Sequence, residues 1–141
     1  MKKGMIIFLS ILIVLVVVVL VGILSFKKQY EQLMIDVDNE YAMIDDFDLS
    51  NVTDGEYSYR FGRIPVIANV KVIVKDNKIT SITMLEQTSG PGYEALDVID
   101  RILARQQPDV EAVTGATTSS KVIMIAVKKA LTGQSQVKSK K

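Results

Sequence analysis

The sequence predicts an α+β domain held behind a single membrane-spanning helix. Three observations predict it. A long apolar run fills the first thirty residues, alternating strand-like segments fill the middle, and two helix-period segments follow. The expected architecture is an N-terminal transmembrane helix, then a small antiparallel sheet of about three strands packed with two helices.

Met5 to Phe26 is apolar apart from Ser10, Gly22 and Ser25. At 1.5 Å per residue the run spans roughly 33 Å, against a hydrocarbon core of roughly 30 Å. A secretory signal peptide is the competing reading, because Lys2 and Lys3 supply a positive start. Its apolar stretch is shorter, about 7–15 residues, and ends in a small-residue cleavage site. Here the run ends in Phe26-Lys27-Lys28 with no such site, so residues 1–28 read as a retained anchor in a lipid bilayer. Lysines flank both ends of the span, and charge barely discriminates its orientation.

Residues 29–49 form an acidic juxtamembrane stalk. Leu33, Met34, Val37, Tyr41 and Ile44 recur there at helical spacing, so a short amphipathic helix and a solvated spacer both remain open. Ser50 to Gly133 is the expected domain, roughly 85 residues and large enough to fold alone. Thr53-Asp54-Gly55 is turn chemistry. Glu56 to Gly62 puts Tyr57, Tyr59 and Phe61 on one face of a strand. Val66 to Lys75 and Lys78 to Glu86 alternate on either side of Asp76-Asn77, the pattern of a β-hairpin.

Gln87 to Gly92 is a loop by composition. Tyr93 to Gln107 shows Leu96, Ile99, Ile102 and Leu103 at helical spacing, and Pro108 ends it. Lys121 to Leu131 is the second helix, with Val122, Ile125, Ala126 and Leu131 toward the core. Residues 134–141 are expected as a basic, solvated tail.

The chain has no Cys, His or Trp and a formal net charge of +1. Thiolate-held clusters, His-ligated haem, Cys or His zinc sites and disulfides are excluded. Catalysis by a histidine-activated serine or cysteine is excluded as well. The charge balance gives no reason to expect nucleic acid.

One cluster remains unexplained by packing. Thr114, Gly115, Ala116, Thr117, Thr118, Ser119 and Ser120 stand together where the last helix begins. A helix N-cap needs one hydroxyl. A helix start also presents free N–H groups and partial positive charge, which suits an anion such as phosphate. Capping plus filler is the plainer explanation for such a string taken alone.

The order of residues carries more. Glu111-Ala-Val-Thr-Gly-Ala-Thr117 resembles the D-x-x-[ST]-G-A-T flavinylation motif of FMN-binding domains in the C and G subunits of sodium-pumping and Rnf-type redox complexes. Asp54-Gly55-Glu56-Tyr57 is similar to the family's domain opening, and Val74-Lys-Asp-Asn-Lys-Ile79 to its hairpin. Thr88 to Gly92 sits where the family has a glycine-containing loop beside the flavin. The resemblance implies an FMN cofactor. It implies that Thr117 is esterified to the FMN phosphate by a separate FAD-dependent transferase. Thr114, Gly115, Ala116, Thr118, Glu111, Gly90, Gly92 and Tyr93 are then the remaining cofactor-binding candidates. It also implies an electron-relay protein, with the domain outside the cytoplasmic membrane and membrane or extracellular redox partners. Such a protein is a carrier rather than an enzyme with its own substrate; a non-covalent flavin-binding or sensor module without electron-relay turnover is the alternative reading. The chain departs from the family in having Glu111 for the usual Asp and in lacking a histidine before the glycine loop.

Overall fold

The computed structural model describes residues 2–133, so the expected basic tail lies outside the described residues. The fold is α+β, as the periodicities require. Helix α1 runs from Lys2 to Tyr41, strands β1 (Gly55–Arg63), β2 (Val66–Lys75) and β3 (Lys78–Thr88) follow, then helices α2 (Asp97–Arg105) and α3 (Thr117–Thr132).

Helix α1 is continuous for 40 residues. Its first part, through Phe26, is exposed on every side. The helix is long and apolar enough to cross a membrane. Two turns further on the same helix changes role. Leu33 and Val37, one turn apart on one face, are fully buried in the domain core, and Ile44 joins them just beyond the helix. The acidic segment through Tyr41 is therefore the end of α1, with its apolar face packed on the domain and Asp36, Asp38 and Glu40 paired with Arg63, Lys121 and Lys129. No glycine or proline lies between Gly22 and Gly55 to interrupt it. A short 3-10 turn, Leu49–Asn51, then turns the chain toward the sheet. Asp48 caps it by accepting from Ser50 N at 2.9 Å and Asn51 Nδ2 at 3.1 Å.

The sheet is an antiparallel meander in the order β1-β2-β3. Tyr57, Tyr59 and Phe61 stand opposite Val72, Val70 and Ala68, so one face is apolar across both strands. Asp76 and Asn77 both take positive φ, 51° and 61°, as a two-residue hairpin of this hand requires. Simple alternation along β3 would put Ile79 and Ile82 on opposite faces. Register shifts solve this: Ile79 pairs with Val74, Ile82 with Val72 and Met84 with Val70, leaving Thr80 and Leu85 as extra residues. All three apolar side chains then face the core, and Leu85 is turned to the exterior.

Helix α3 is the centre of the domain. It packs on β1 and β2, with α1 and α2 against its other sides. Every residue from Val122 to Val127 is buried, together with Ala130 and Leu131. The one-sided core face expected there is thus a core on all sides, because two helices cover what the sheet does not. Helix α2 is shorter than its periodicity suggested. Leu96 precedes it and is exposed, while Val98 and Ile102 fill the core.

Side-chain pairings fix the direction of α3 against α1. Thr118 Oγ1 lies 3.9 Å from Met34 Sδ, and Lys121 Nζ lies 3.7 Å from Asp38. Further along, Lys129 reaches Glu40 at 2.8 Å and Lys128 donates to the Met43 carbonyl. Positions rise together on the two helices, so they run parallel. The start of α3 points back toward the apolar part of α1.

Candidate functional site

The chain enters α3 through a tight turn closed by Ala116 N donating to Val113 O at 3.0 Å. Gly115 occupies that turn at φ 81°, a left-handed conformation that a side chain disfavours. Ala116 stands at the N-cap position and makes no side-chain capping bond. The first bond of the helix runs from Ser120 N to Ala116 O. The N–H groups of Thr117, Thr118 and Ser119 therefore have no intrahelical acceptor and face out from a helix start of partial positive charge.

The hydroxyls of this segment divide by position. Ser120 is fully buried; its Oγ donates to Ala116 O at 2.8 Å and accepts from Val113 N at 2.9 Å, which staples the turn to the helix. Ser119 is buried along the edge of a cleft, Thr118 is half-buried against Met34, and Thr117 is exposed. Only the first part of the run is presented outward. Arg101 of α2 holds the approach to the turn, donating to the carbonyls of Glu111 at 2.7 Å and Ala112 at 3.1 Å.

The cleft has a volume of about 490 Å³, within the range of small-molecule and cofactor sites. Gly115, Ala116, Thr117, Thr118 and Ser119 form one wall. Gly90 and Tyr93 of the β3–α2 loop form a second, and Tyr30 of α1 with Pro65 and Val66 of the β1–β2 turn forms a third. The loop is ordered by its own contacts: Tyr93 N donates to Gly90 O, Gln87 Nε2 to the Glu94 carbonyl, and Gly92 N to Glu94 Oε1. Gly92 takes φ 81°.

Of the residues singled out from sequence, Thr117, Gly115, Ala116, Thr118, Gly90 and Tyr93 line this one cleft. Gly92 lies in its loop without lining it, and Thr114 and Glu111 are exposed beside the turn, outside the lining. Tyr30, Pro65 and Val66 line the cleft without having been singled out, and Ser119, named only as part of the hydroxyl run, lines it too. Tyr30 carried a legible signal, being an aromatic residue one turn beyond the apolar run. Pro65 and Val66 carried none, since only the path of the chain brings them there.

Residues 67–132 match the family model of the FMN-binding domain. The chain carries an FMN-binding domain. No curated protein matches the chain significantly. The match begins within β2, so α1 and β1 lie outside it although both pack on its central helix.

FMN is the cofactor to which this domain points, and the cleft suits it. Its phosphate matches the free N–H groups and hydroxyls at the start of α3. A planar, largely apolar ring system matches Tyr30, Tyr93, Pro65 and Val66, where an aromatic side chain contributes about 1–3 kcal/mol per stacked ring. A Cβ added at Gly115 would meet nothing within 4 Å, so the backbone lies open to a close neighbour there. Among the described residues no acidic cluster is arranged to hold a metal ion.

Proposed function

We propose that this chain is a membrane-anchored flavoprotein that holds FMN outside the cytoplasmic membrane through a phosphoester to Thr117 and relays electrons. The carrying observation is the exposed Thr117 hydroxyl at the uncapped start of α3, inside a cleft of cofactor size. Bound FMN supplies reversible one- and two-electron chemistry; the protein supplies binding and surroundings. Arg101 and Ser120 hold the turn in shape, the free N–H groups would hold the phosphate, and Tyr30 and Tyr93 would hold the ring.

A threonine hydroxyl is a poor nucleophile without an activating base, and no histidine is present to serve. A separate FAD-dependent transferase therefore makes the bond. Thr117 would supply the hydroxyl oxygen of the new ester, and FAD would supply the FMN phosphate, with its diphosphate bond broken, AMP released and the threonine proton passed to solvent. Glu111 is exposed beside the motif, a position suited to contact with that transferase rather than with the flavin.

A covalent bond answers an energetic problem. An anion at a helix start gains about 0.3–2 kcal/mol, and a stacked ring about 1–3 kcal/mol. Both must offset the association entropy, so a shallow site facing open medium would lose a free cofactor.

Intact mass of the full chain, coexpressed with the transferase, tests this reading. The wild type should gain the mass of FMN less one water and stay yellow after denaturation. Thr117→Ala should gain nothing and remain folded, since Thr117 is exposed at a helix start that its hydroxyl does not cap, and such a substitution costs less than about 0.5 kcal/mol. Thr118→Ala should still be modified. An adduct retained in Thr117→Ala would refute the assignment. Protease added to intact cells should digest the domain; digestion only after lysis would reverse the orientation.

A further inference from the structure

The lining of the cleft comes from one end of the domain, and that end is the one nearest the apolar run. Three chain directions establish this. Helix α3 runs parallel to the end of α1, with Thr118 beside Met34, so its start points back along α1. Strand β1 ends beside the same helix, where Arg63 pairs with Asp36, and the turn after it brings Pro65 to Tyr30. Strand β3 ends opposite Ile67 at the start of β2, and its loop carries Gly90 and Tyr93 to the same place.

Height above the bilayer follows from helix geometry. Tyr30 is four residues beyond Phe26, about 6 Å along the axis, and Met34 is about 12 Å beyond it. The headgroup layer is about 5–8 Å thick on each side of the hydrocarbon. Tyr30 thus falls in that layer. Its neighbours at this end suit the layer as well: Ile64 is 55% exposed, Tyr93 52% and Tyr30 42%. Tyrosines favour the membrane interface, and Lys27 and Lys28 beside them suit anionic headgroups. Ile64, at the tip of the turn between β1 and β2, adds apolar surface beside the two tyrosines.

We propose that Tyr30, Ile64 and Tyr93 form a lipid-contacting rim seated in the headgroup layer, so that the cleft opens onto the membrane surface. The occupant of this face is the bilayer that α1 crosses, because the rim is continuous with the span. A carrier dissolved in that bilayer then meets the cleft at headgroup depth. The proposal rests on α1 as a membrane span and not on how the cofactor is attached.

The chain has no tryptophan, so single substitutions give clean probes. The full chain is placed in vesicles as Ile64→Trp, Tyr93→Trp or, at the opposite end of the sheet, Lys75→Trp. Emission is compared between vesicles of ordinary lipid and of lipid brominated near the headgroup end of its chains. Tryptophan at 64 and at 93 should lose severalfold more emission to bromine than tryptophan at 75, which has the same intrinsic liking for interfaces. Equal quenching at all three positions would overturn the proposal. So would shielding of 64 and 93 from a water-soluble quencher without quenching by bromine, which would mean that protein covers the rim. The two rim probes read independently, so one misfolded variant leaves the other decisive. The mass of the Thr117 adduct is read separately, so failure here is distinct from failure of the attachment.

Discussion

The two ends of the domain are built in opposite ways. At the end far from the apolar run of α1, side chains satisfy the chain's own backbone. Asp54 accepts from Asp76 N at 3.0 Å and Asn77 N at 3.5 Å, which caps the hairpin. Gln106 donates to Ile79 O and Leu103 O at 2.9 and 2.8 Å and accepts from Ile79 N at 2.7 Å, which locks the end of α2 to β3. At the near end the start of α3 carries no cap, Gly92 and Gly115 take left-handed conformations, and three apolar or aromatic side chains stand exposed. Backbone polar groups must be paired by something. The far end pairs them internally. The near end pairs several of them through Ser120, Gln87 and Glu94 but leaves the N–H groups of Thr117, Thr118 and Ser119 without intrahelical partners. The candidate site thus lies at one end, and the far end can be perturbed without touching it.

The largest effect tests whether the near end stands without α1. Leu33 is fully buried beside Met34. Leu33→Ala should destabilise the domain by about 2–5 kcal/mol in denaturant unfolding. Ile35→Ala, at a position 53% exposed, should change it by less than about 0.5 kcal/mol. Similar small effects from both would mean that α1 only tethers the domain.

Two further substitutions separate the ends directly. Gln106→Ala leaves Ile79 N–H and two carbonyls without their partner and should cost about 1–3 kcal/mol, with flavin content unchanged in the folded protein. Gly115→Ala should cost only about 1 kcal/mol, because the new Cβ meets no neighbour and the penalty is conformational. Its flavin content should nevertheless fall, since the methyl group stands where the backbone faces the cofactor. Absorbance per folded chain at the flavin band, set beside urea midpoints, reads both. A loss of flavin in Gln106→Ala with none in Gly115→Ala would break the division between the ends.

Much of this was legible in the sequence. The apolar run, the hairpin about Asp76-Asn77 and the last helix, which starts at Thr117 rather than at Lys121, are local patterns, and local chemistry decides them. The Thr-Gly-Ala-Thr string marked one wall of the cleft for the same reason. The misses are non-local. Leu33 and Val37 were visible as helical spacing, but nothing in the segment says that the domain covers their face. The absence of glycine and proline from Ile23 to Asp54 was the clue that one helix runs on. The register shifts at Thr80 and Leu85 arise from pairing with β2, so β3 alone suggests plain alternation. Pro65 and Val66 reach the cleft only because β1 ends beside α1. Ser120 resembled its hydroxyl neighbours, yet its bonds to Ala116 and Val113 make it structural.

One pair at the far end, Asp109 beside Asp45, is unfavourable when ionised, and it gives the smallest prediction. Tyr41 donates to Asp109 at 3.3 Å, with Asp45 close by. Burial first, then Asp45, pushes the Asp109 carboxyl above its ordinary value, while the Tyr41 bond and Arg105 pull it partly back. The folded state therefore holds this proton more tightly than the unfolded chain. That contribution is fully present below the unfolded value, about 3.9, and is lost as pH rises through the folded one. At neutral pH the ionised Asp109 beside Asp45 is unfavourable. Asp109→Asn removes the charge and keeps an oxygen for Tyr41. The variant should be slightly more stable than wild type at neutral pH, by less than about 1 kcal/mol because the site is partly solvated. The gain should shrink toward zero as pH falls to about 4. Urea midpoints at both pH values measure it, and a variant less stable at neutral pH would show that the Tyr41 bond outweighs the repulsion. Flavin content should not change, because Asp109 lies at the end where the chain bonds only to itself.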